Sequence, residues 1–278
     1  MTIRIVTDSA CDLPPDLEEK HKIHIVALSV RFGADEFVDR KDLTPGQFWS
    51  KVKASAELPE TAAPSPGAFL QAFEAAADDG CDGVVCINLS SDLSATMQSA
   101  QQAAKDFDRI PVAIVDSRSL TMGQGLMCLA AAEAAESGKS IDEVVAIVES
   151  LRTRVKVFAA LDTLDNLKKG GRIGGAQAFL GSMLSIKPII EVSSGKVESE
   201  SKQRTRSRSL KYLADKVGEF DNVEQLAVMH GDAPDIEEFL SMLSGIYPRD
   251  DIIVGDLGAV IGTHGGPRTM GITFFTKE

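Results

Sequence analysis

The feature that limits the fold most is a rhythm of short β-branched runs, each ending in acids or hydroxyls and giving way to helical spacing. TIRIVT at 2–7 stops at Asp8-Ser9, an apolar run at 83–89 stops at Ser90-Ser91, and PVAIV at 111–115 stops at Asp116-Ser117. Pro14 and Pro15 open a short helix through Lys20, strands are expected at 23–32 and 35–38 around Gly33, and a helix at 45–54. Ser65-Pro66 supplies a cap and a first residue for a helix whose Ala68, Phe69, Ala72, Phe73 and Ala76 recur at helical spacing. Beyond 89 a further helix would turn Met97, Ala100, Ala104 and Phe107 to one side, and two more span roughly 120–136 and 140–153. Strands alternating with helices imply a parallel sheet covered on both faces, a Rossmann-like N-terminal α/β domain assigned to 1–154.

The second half has a different rhythm. Short strands at 157–161, 186–192 and 196–202 are mixed with helices near 163–169, 174–183 and 206–217. Strand 225–229, helix 234–244 and strands near 251–256 and 268–275 follow, and Ser194-Gly195 marks a hairpin turn. A second α/β domain with a mixed, largely antiparallel sheet is therefore expected over 155–278.

Composition excludes some partners. The net charge of -12 on 278 residues argues against broad binding to nucleic acid and against general attraction to anionic membranes. No apolar run approaches the ~20 residues of a membrane span, and the start is too acidic for a signal peptide. Cys11, Cys81, Cys86 and Cys128 form no CxxC pair and are expected to be reduced thiols in a cytoplasmic protein.

Two hydroxyl-bearing loops draw attention. Ser90, Ser91, Ser94 and Thr96 follow the strand at 83–89, with Ser91 the expected helix cap, and Thr61 lies in LPETAAPSP before a capped helix. Free N–H groups at a helix start, hydroxyl donors and the helix dipole suit an anion, although capping alone also accounts for such residues. Strand ends of a parallel sheet gather on one edge, where ligands bind in open α/β folds. Neither loop carries Lys, Arg or His, which points to a small or singly charged head group rather than a polyphosphate.

Phosphate-loop, dinucleotide, nucleophile-elbow and HExxH motifs are missing, and the four histidines have no metal-ligand spacing. His264 stands in a Gly-rich turn that would allow close approach to a ligand. Arg172 lies in LKKGGRIGG, and Arg204, Arg206 and Arg208 cluster where a helix begins. Cations there oppose the dipole, so the run is either a solvated surface or a grip for an acidic partner.

Taken in order, ThrAspSer at 7–9 with Asp12-Leu13, PETAAPS at 59–65, SSDLSATMQSA at 90–100, DSRSLTMGQG at 116–125, LDTLDNLKKGGRIGG at 161–175, SIKPII at 185–190 and GTHGGP at 262–267 give the chain an end-to-end resemblance to DegV-type proteins. These are the fatty-acid-binding components of bacterial fatty acid kinase. The resemblance implies a two-domain DegV-like α/β protein that is not itself an enzyme. It would hold a long-chain fatty acid and present it to the ATP-binding kinase subunit for phosphorylation, exchanging transiently with the membrane and using no other cofactor and no metal. Thr61 and Ser94 correspond to the carboxylate-binding hydroxyls, His264 lies near the head group, and Arg172 together with Arg204 or Arg206, Arg204 being the better match, corresponds to the arginines linked to the kinase partner. Departures occur at Ala62, Ala63 and Ala95, and at Arg268 where the family has glycine.

A lipid also fits energetically. Each buried methylene contributes about 0.8 kcal/mol, so ~15 of them contribute on the order of 12 kcal/mol before ordering costs. Met122, Leu126, Phe179, Leu180, Met183, Leu184 and Ile186 are candidates for the tunnel wall, with ordinary core packing as the alternative for each. Two rival functions remain: acyl transfer or hydrolysis through Ser94 with His264 as base, and a carrier or sensor of another small anion.

Overall fold

A computed structural model describes residues 1–180 and 186–277. The first half begins with β1 (Ile3–Asp8), α1 (Pro15–Lys20), β2 (His24–Val26), β3 (Ser29–Phe32), β4 (Asp35–Val38) and α2 (Pro45–Ala54). It continues with β5 (Glu60–Ala62), α3 (Pro66–Asp78), β6 (Gly83–Asn88), α4 (Thr96–Lys105), β7 (Val112–Asp116), α5 (Met122–Glu136) and α6 (Ile141–Arg154). Strands β2-β1-β6-β7 form a parallel sheet. Alternation along each strand sends side chains to opposite faces. Val6, Val84 and Cys86 meet Phe69, Phe73 and Ala100 of α3 and α4, while Ile5, Val85 and Ile87 meet Leu126 and Val144 of α5 and α6. Ser65 caps α3 by accepting from the Ala68 N–H at 3.3 Å.

The second half comprises β8 (Val155–Ala160), α7 (Asp165–Lys169), a 3₁₀ turn at Gly174–Phe179, β9 (Lys187–Ser193) and β10 (Lys196–Gln203). There follow α8 (Arg206–Gly218), β11 (Val223–His230), α9 (Ile236–Leu243), β12 (Ile253–Asp256), α10 (Ala259–Gly265) and β13 (Met270–Thr276). Its sheet runs β10-β9-β8-β13-β11-β12, antiparallel except for β11 with β12. Ser194 and Gly195 both have positive φ, 50° and 86°, which gives the β9–β10 turn the primed form favoured by twisted hairpins. One face of this sheet, with Phe158, Ile272 and Phe274, packs on Leu210, Leu213 and Leu240 of α8 and α9.

The opposite face turns toward α5. That helix lies between the two sheets and is buried on nearly every side, as its uniformly apolar sequence requires. The core around Ile5 and Leu126 continues without a break into Met229, Val260 and Phe275.

Several expectations are corrected. Of the helix expected at 174–183, the described part forms a 3₁₀ turn over 174–179, and 181–183 lie outside the described residues: Gly174 has φ +49°, and added Cβ atoms at Gly174 and Gly175 would collide with Val197 O and Glu198 Oε2 of β10. The pair is there for close approach to a strand. Residues 60–62 form a strand rather than loop, with Thr61 opposite Val30 in the small antiparallel sheet β4-β3-β5. His264 belongs to the last turn of α10 rather than to a glycine turn.

Candidate functional site

The carboxyl ends of β1, β6 and β7 meet at one edge, where Asp8 ties β1 to β6 and Ser117 N donates to Asn88 O to hold the end of β7. The buried Asp8 carboxylate accepts from Ala10 N at 3.1 Å, Asn88 Nδ2 at 3.2 Å and Leu89 N at 2.9 Å. Burial outweighs these bonds and raises its pKa to about 6.

The four hydroxyls of the loop after β6 divide into two pairs. Ser90 Oγ donates to Gly195 O at 2.7 Å, fastening the hairpin turn to the loop. Ser91 does not cap the helix; its hydroxyl donates to Asp116 Oδ2 at 2.6 Å, and α4 starts five residues later at Thr96. Ser94 precedes the helix, accepts from Thr96 N at 3.3 Å, and its Oγ lies 2.9 Å from Thr96 Oγ1. Ala95 has φ -77°, a conformation that needs no glycine. Arg268, in contrast, has φ +61°, where glycine is preferred.

Thr61 Oγ1 and His264 Nε2 lie 3.0 Å apart. Burial, with the Arg172 guanidinium nearby, lowers the His264 pKa to about 4, so the imidazole is neutral near pH 7. With its proton on Nε2 it would donate to Thr61 and leave the threonine O–H free to donate elsewhere. Nδ1 is buried without a partner and lies where any side chain at Gly170 would have to go. Arg172 donates from Nε to Leu93 O at 3.0 Å and from Nη1 to Gly170 O at 2.5 Å, joining the Ser94 loop to the Gly170 loop.

Thr61, Ser94, Arg172 and His264 all line one apolar cavity. Its floor is the inner face of the six-stranded sheet. Val157 and Ala159 of β8, Ile190 and Val192 of β9, and Gly271 and Thr273 of β13 are alternate residues on paired strands. Ala159 stands opposite both Ile190 and Gly271, so small residues hollow the middle of that face. Thr61, Arg172 and His264 also border a second, polar pocket with Glu60, Asn166 and Lys169. The cluster therefore sits where an apolar cavity meets a polar one.

Of the expected tunnel residues, the described ones do not line this cavity. Met122 and Leu126 are fully buried in the α5 core and do not line the cavity, because α5 spends those side chains packing against the sheets. Phe179 and Ile186 pack with Leu164 and Ile173 behind the cavity wall, and Leu180 is exposed. Met183 and Leu184 lie outside the described residues. No strand taken alone marks this floor, which is set by the pairing of β8 with β9 and β13.

The arginines separate as well. Arg172 is half-buried on the cavity wall, whereas Arg204 is exposed between β10 and α8. Arg206 is held by Asp235 through two bonds at 2.8 and 2.9 Å, which ties the start of α8 to that of α9.

Ser94 and His264 share the cavity, but their hydrogen bonds go to Thr96 and Thr61 and not to each other. Among the described residues no carboxylate orients His264 Nδ1, so they assemble no nucleophile–base–acid relay. Among the described residues, no three His, Cys, Asp or Glu side chains are placed to hold a metal, and no helix is long and apolar enough to cross a membrane.

Comparisons with known proteins agree along the whole chain. Residues 2–277 match the family described as "Uncharacterised protein, DegV family". A DegV domain-containing protein of Listeria innocua is 33% identical over 279 residues, covering 99% of both chains. Among solved structures, a DegV family protein of Thermus thermophilus, described in terms of fatty acid binding, superposes with a TM-score of 0.90 at 34% identity and covers 100% of both chains. DegV of Bacillus subtilis, described as a fatty acid binding protein, gives 0.87 at 32% identity, again over 100% of both.

Proposed function

The chain belongs to the DegV family, and from that premise we propose that it binds a long-chain fatty acid and presents the carboxylate to a separate ATP-binding kinase subunit. The observation that carries this reading is the sharing of one cavity by Thr61, Ser94 and His264 with an aliphatic sheet face. The acyl chain lies along β8, β9 and β13, and its methylenes contribute about 0.8 kcal/mol each on leaving water. The carboxylate rests between the hydroxyls of Thr61 and Ser94, because a buried carboxylate without donors would cost several kcal/mol. Neutral His264 adds a dipole without fixing a charge in the apolar cavity.

Arg172 and the polar pocket beside it support the second half of the reading. They give a partner a route to the head group that does not cross the apolar cavity. In this scheme Arg172 and the exposed Arg204 serve the partner, the kinase phosphorylates the bound carboxylate to an acyl-phosphate, and the protein works in the cytoplasm with transient visits to a membrane. The unassembled relay around Ser94 favours carriage over acyl transfer. Titrating delipidated protein with a fluorescent fatty acid tests the binding step: saturation at one site supports it, and the absence of saturation removes it.

A further inference from the structure

A second cleft opens away from the lipid cavity, between the segment Ser9–Glu18, the segment 39–45 and the strand-to-helix connection Val254–Gly258. Its charged lining is Asp12, Glu18, Asp39, Asp256, Arg40 and Lys41. Most of these are already engaged or at the surface. Arg40 gives both terminal nitrogens to Leu13 O at 3.0 Å and pairs with Glu18 at 2.6 Å. Asp256 is exposed and faces His230 Nε2 at 3.5 Å, and Lys41 is exposed.

Two carboxylates remain. Asp12 accepts from Gly258 N at 3.0 Å and from the Thr121 hydroxyl at 2.7 Å. Asp39 is only 2% exposed, and although Ser9, Arg40 and Ala259 lie near its carboxyl, its buried Oδ2 has no hydrogen-bond partner. Both converge on one point. A Cβ built on Gly258 would lie 2.8 Å from Asp12 Oδ1 and 3.9 Å from Asp39 Oδ2. A buried carboxylate oxygen without a donor is costly, so an orphan of this kind marks a missing partner.

We propose that this cleft is a second binding site, which takes an organic cation through an ammonium or guanidinium group carried on a short apolar stem. Its N–H groups supply the donor that Asp39 Oδ2 lacks, and Asp12, whose Oδ1 already accepts from Gly258 N, adds a second negative charge beside it. Leu13, Pro14, Ile25 and Val254 flank the stem. A metal ion is served less well, since no third ligating side chain is in place among the described residues. Burial raises the pKa of both acids, Asp12 to about 7 with the Asp39 charge adding to its rise, while the Arg40 guanidinium opposes the rise at both.

The test is calorimetric titration of the full chain with agmatine, which carries both cation types, at about pH 8 and about pH 6. Saturable binding is expected at the higher pH. It should weaken by about tenfold at the lower one, where Asp12 takes up a proton. Asp39→Asn should weaken it by about tenfold or more. Gly258→Ala should abolish it by placing a methyl between the acids, and it carries the comparison if Asp39→Asn fails to fold. Tetramethylammonium, which has no N–H donor, should not bind. No saturable agmatine binding at either pH, binding of magnesium chloride in its place, equal binding of tetramethylammonium, or wild-type affinity in both variants would overturn the proposal. Fatty acid affinity measured on the same Asp39→Asn sample reports separately on the lipid site.

Discussion

Thr61 Oγ1 lies 3.0 Å from His264 Nε2 across 203 residues of chain, joining a three-residue edge strand to the last turn of the final helix. The pair aims a threonine hydroxyl at the junction of two pockets and keeps it oriented by a neutral imidazole. Neither residue is placed by its local sequence; both are placed by tertiary packing.

Replacing either hydroxyl should therefore weaken lipid binding without unfolding the protein. Thr61→Ala and Ser94→Ala each remove a donor to a carboxylate, worth roughly 1.5–3 kcal/mol, or about 10- to 150-fold in affinity. Fluorescent fatty acid titration reads the loss, and a melting curve close to wild type shows that the fold survives. Unchanged affinity in both variants would detach these residues from the head group.

Filling the floor of the cavity should exclude the acyl chain. A Cβ at Gly271 meets only Met229 O and Phe158 O, both at an ordinary 3.6 Å, so a larger side chain there projects over the sheet into open space. Gly271→Leu is expected to fold and to lose long-chain binding by at least about tenfold, as several methylenes of about 0.8 kcal/mol each are displaced. In contrast, Leu126→Ala should cost about 2–5 kcal/mol of stability by leaving a core cavity, read in urea unfolding. Wild-type lipid affinity in Gly271→Leu would move the chain elsewhere.

Two buried groups make opposite contributions to stability with pH. His264 titrates near 4 in the folded protein against about 6.5 when unfolded, so the unfolded chain binds the extra proton and stability falls as pH drops from about 6.5 to about 4. Asp12 titrates near 7 against an ordinary value of 3.8, so the folded chain holds the proton and stability falls as pH rises from about 4 to about 7. Urea unfolding of His264→Gln should lose the first slope, and Asp12→Asn the second. A His264 ring found protonated at about pH 6 by NMR would contradict the burial assigned to it.

Arg172→Ala should retain the lipid and slow its phosphorylation. The guanidinium contacts Leu93 O and Gly170 O, and a fatty acid can still reach Thr61 and Ser94 without it. Acyl-phosphate formation with a fatty acid kinase subunit is the assay. Equal turnover by variant and wild type would remove the role.

Much of this architecture is legible before any coordinates. The strand expected at 2–7 and found at Ile3–Asp8, the Ser65-Pro66 cap and the hairpin turn at Ser194-Gly195 follow from local chemistry, and they hold. Non-local pairing is what hides the rest. Glu60–Ala62 is a strand only because residues 29–31 lie beside it. The glycines around His264 suggest a turn, yet a Cβ at Gly262 would strike Phe48 and Trp49 at 2.7 and 2.8 Å, so glycine lets a helix approach two aromatic rings. Ser91 has the composition of a helix cap, but Asp116 from a neighbouring strand end claims its hydroxyl. The floor of the cavity depends on which sheet face α5 leaves open, and no single strand records that.

The most direct test is a native mass spectrum of the protein as purified from cells, followed by gentle dissociation. A non-covalent mass equal to an intact long-chain fatty acid, present in wild type and depleted in Gly271→Leu, is the predicted result. A covalent acyl adduct on Ser94, or a released ligand with no acyl chain, would contradict it.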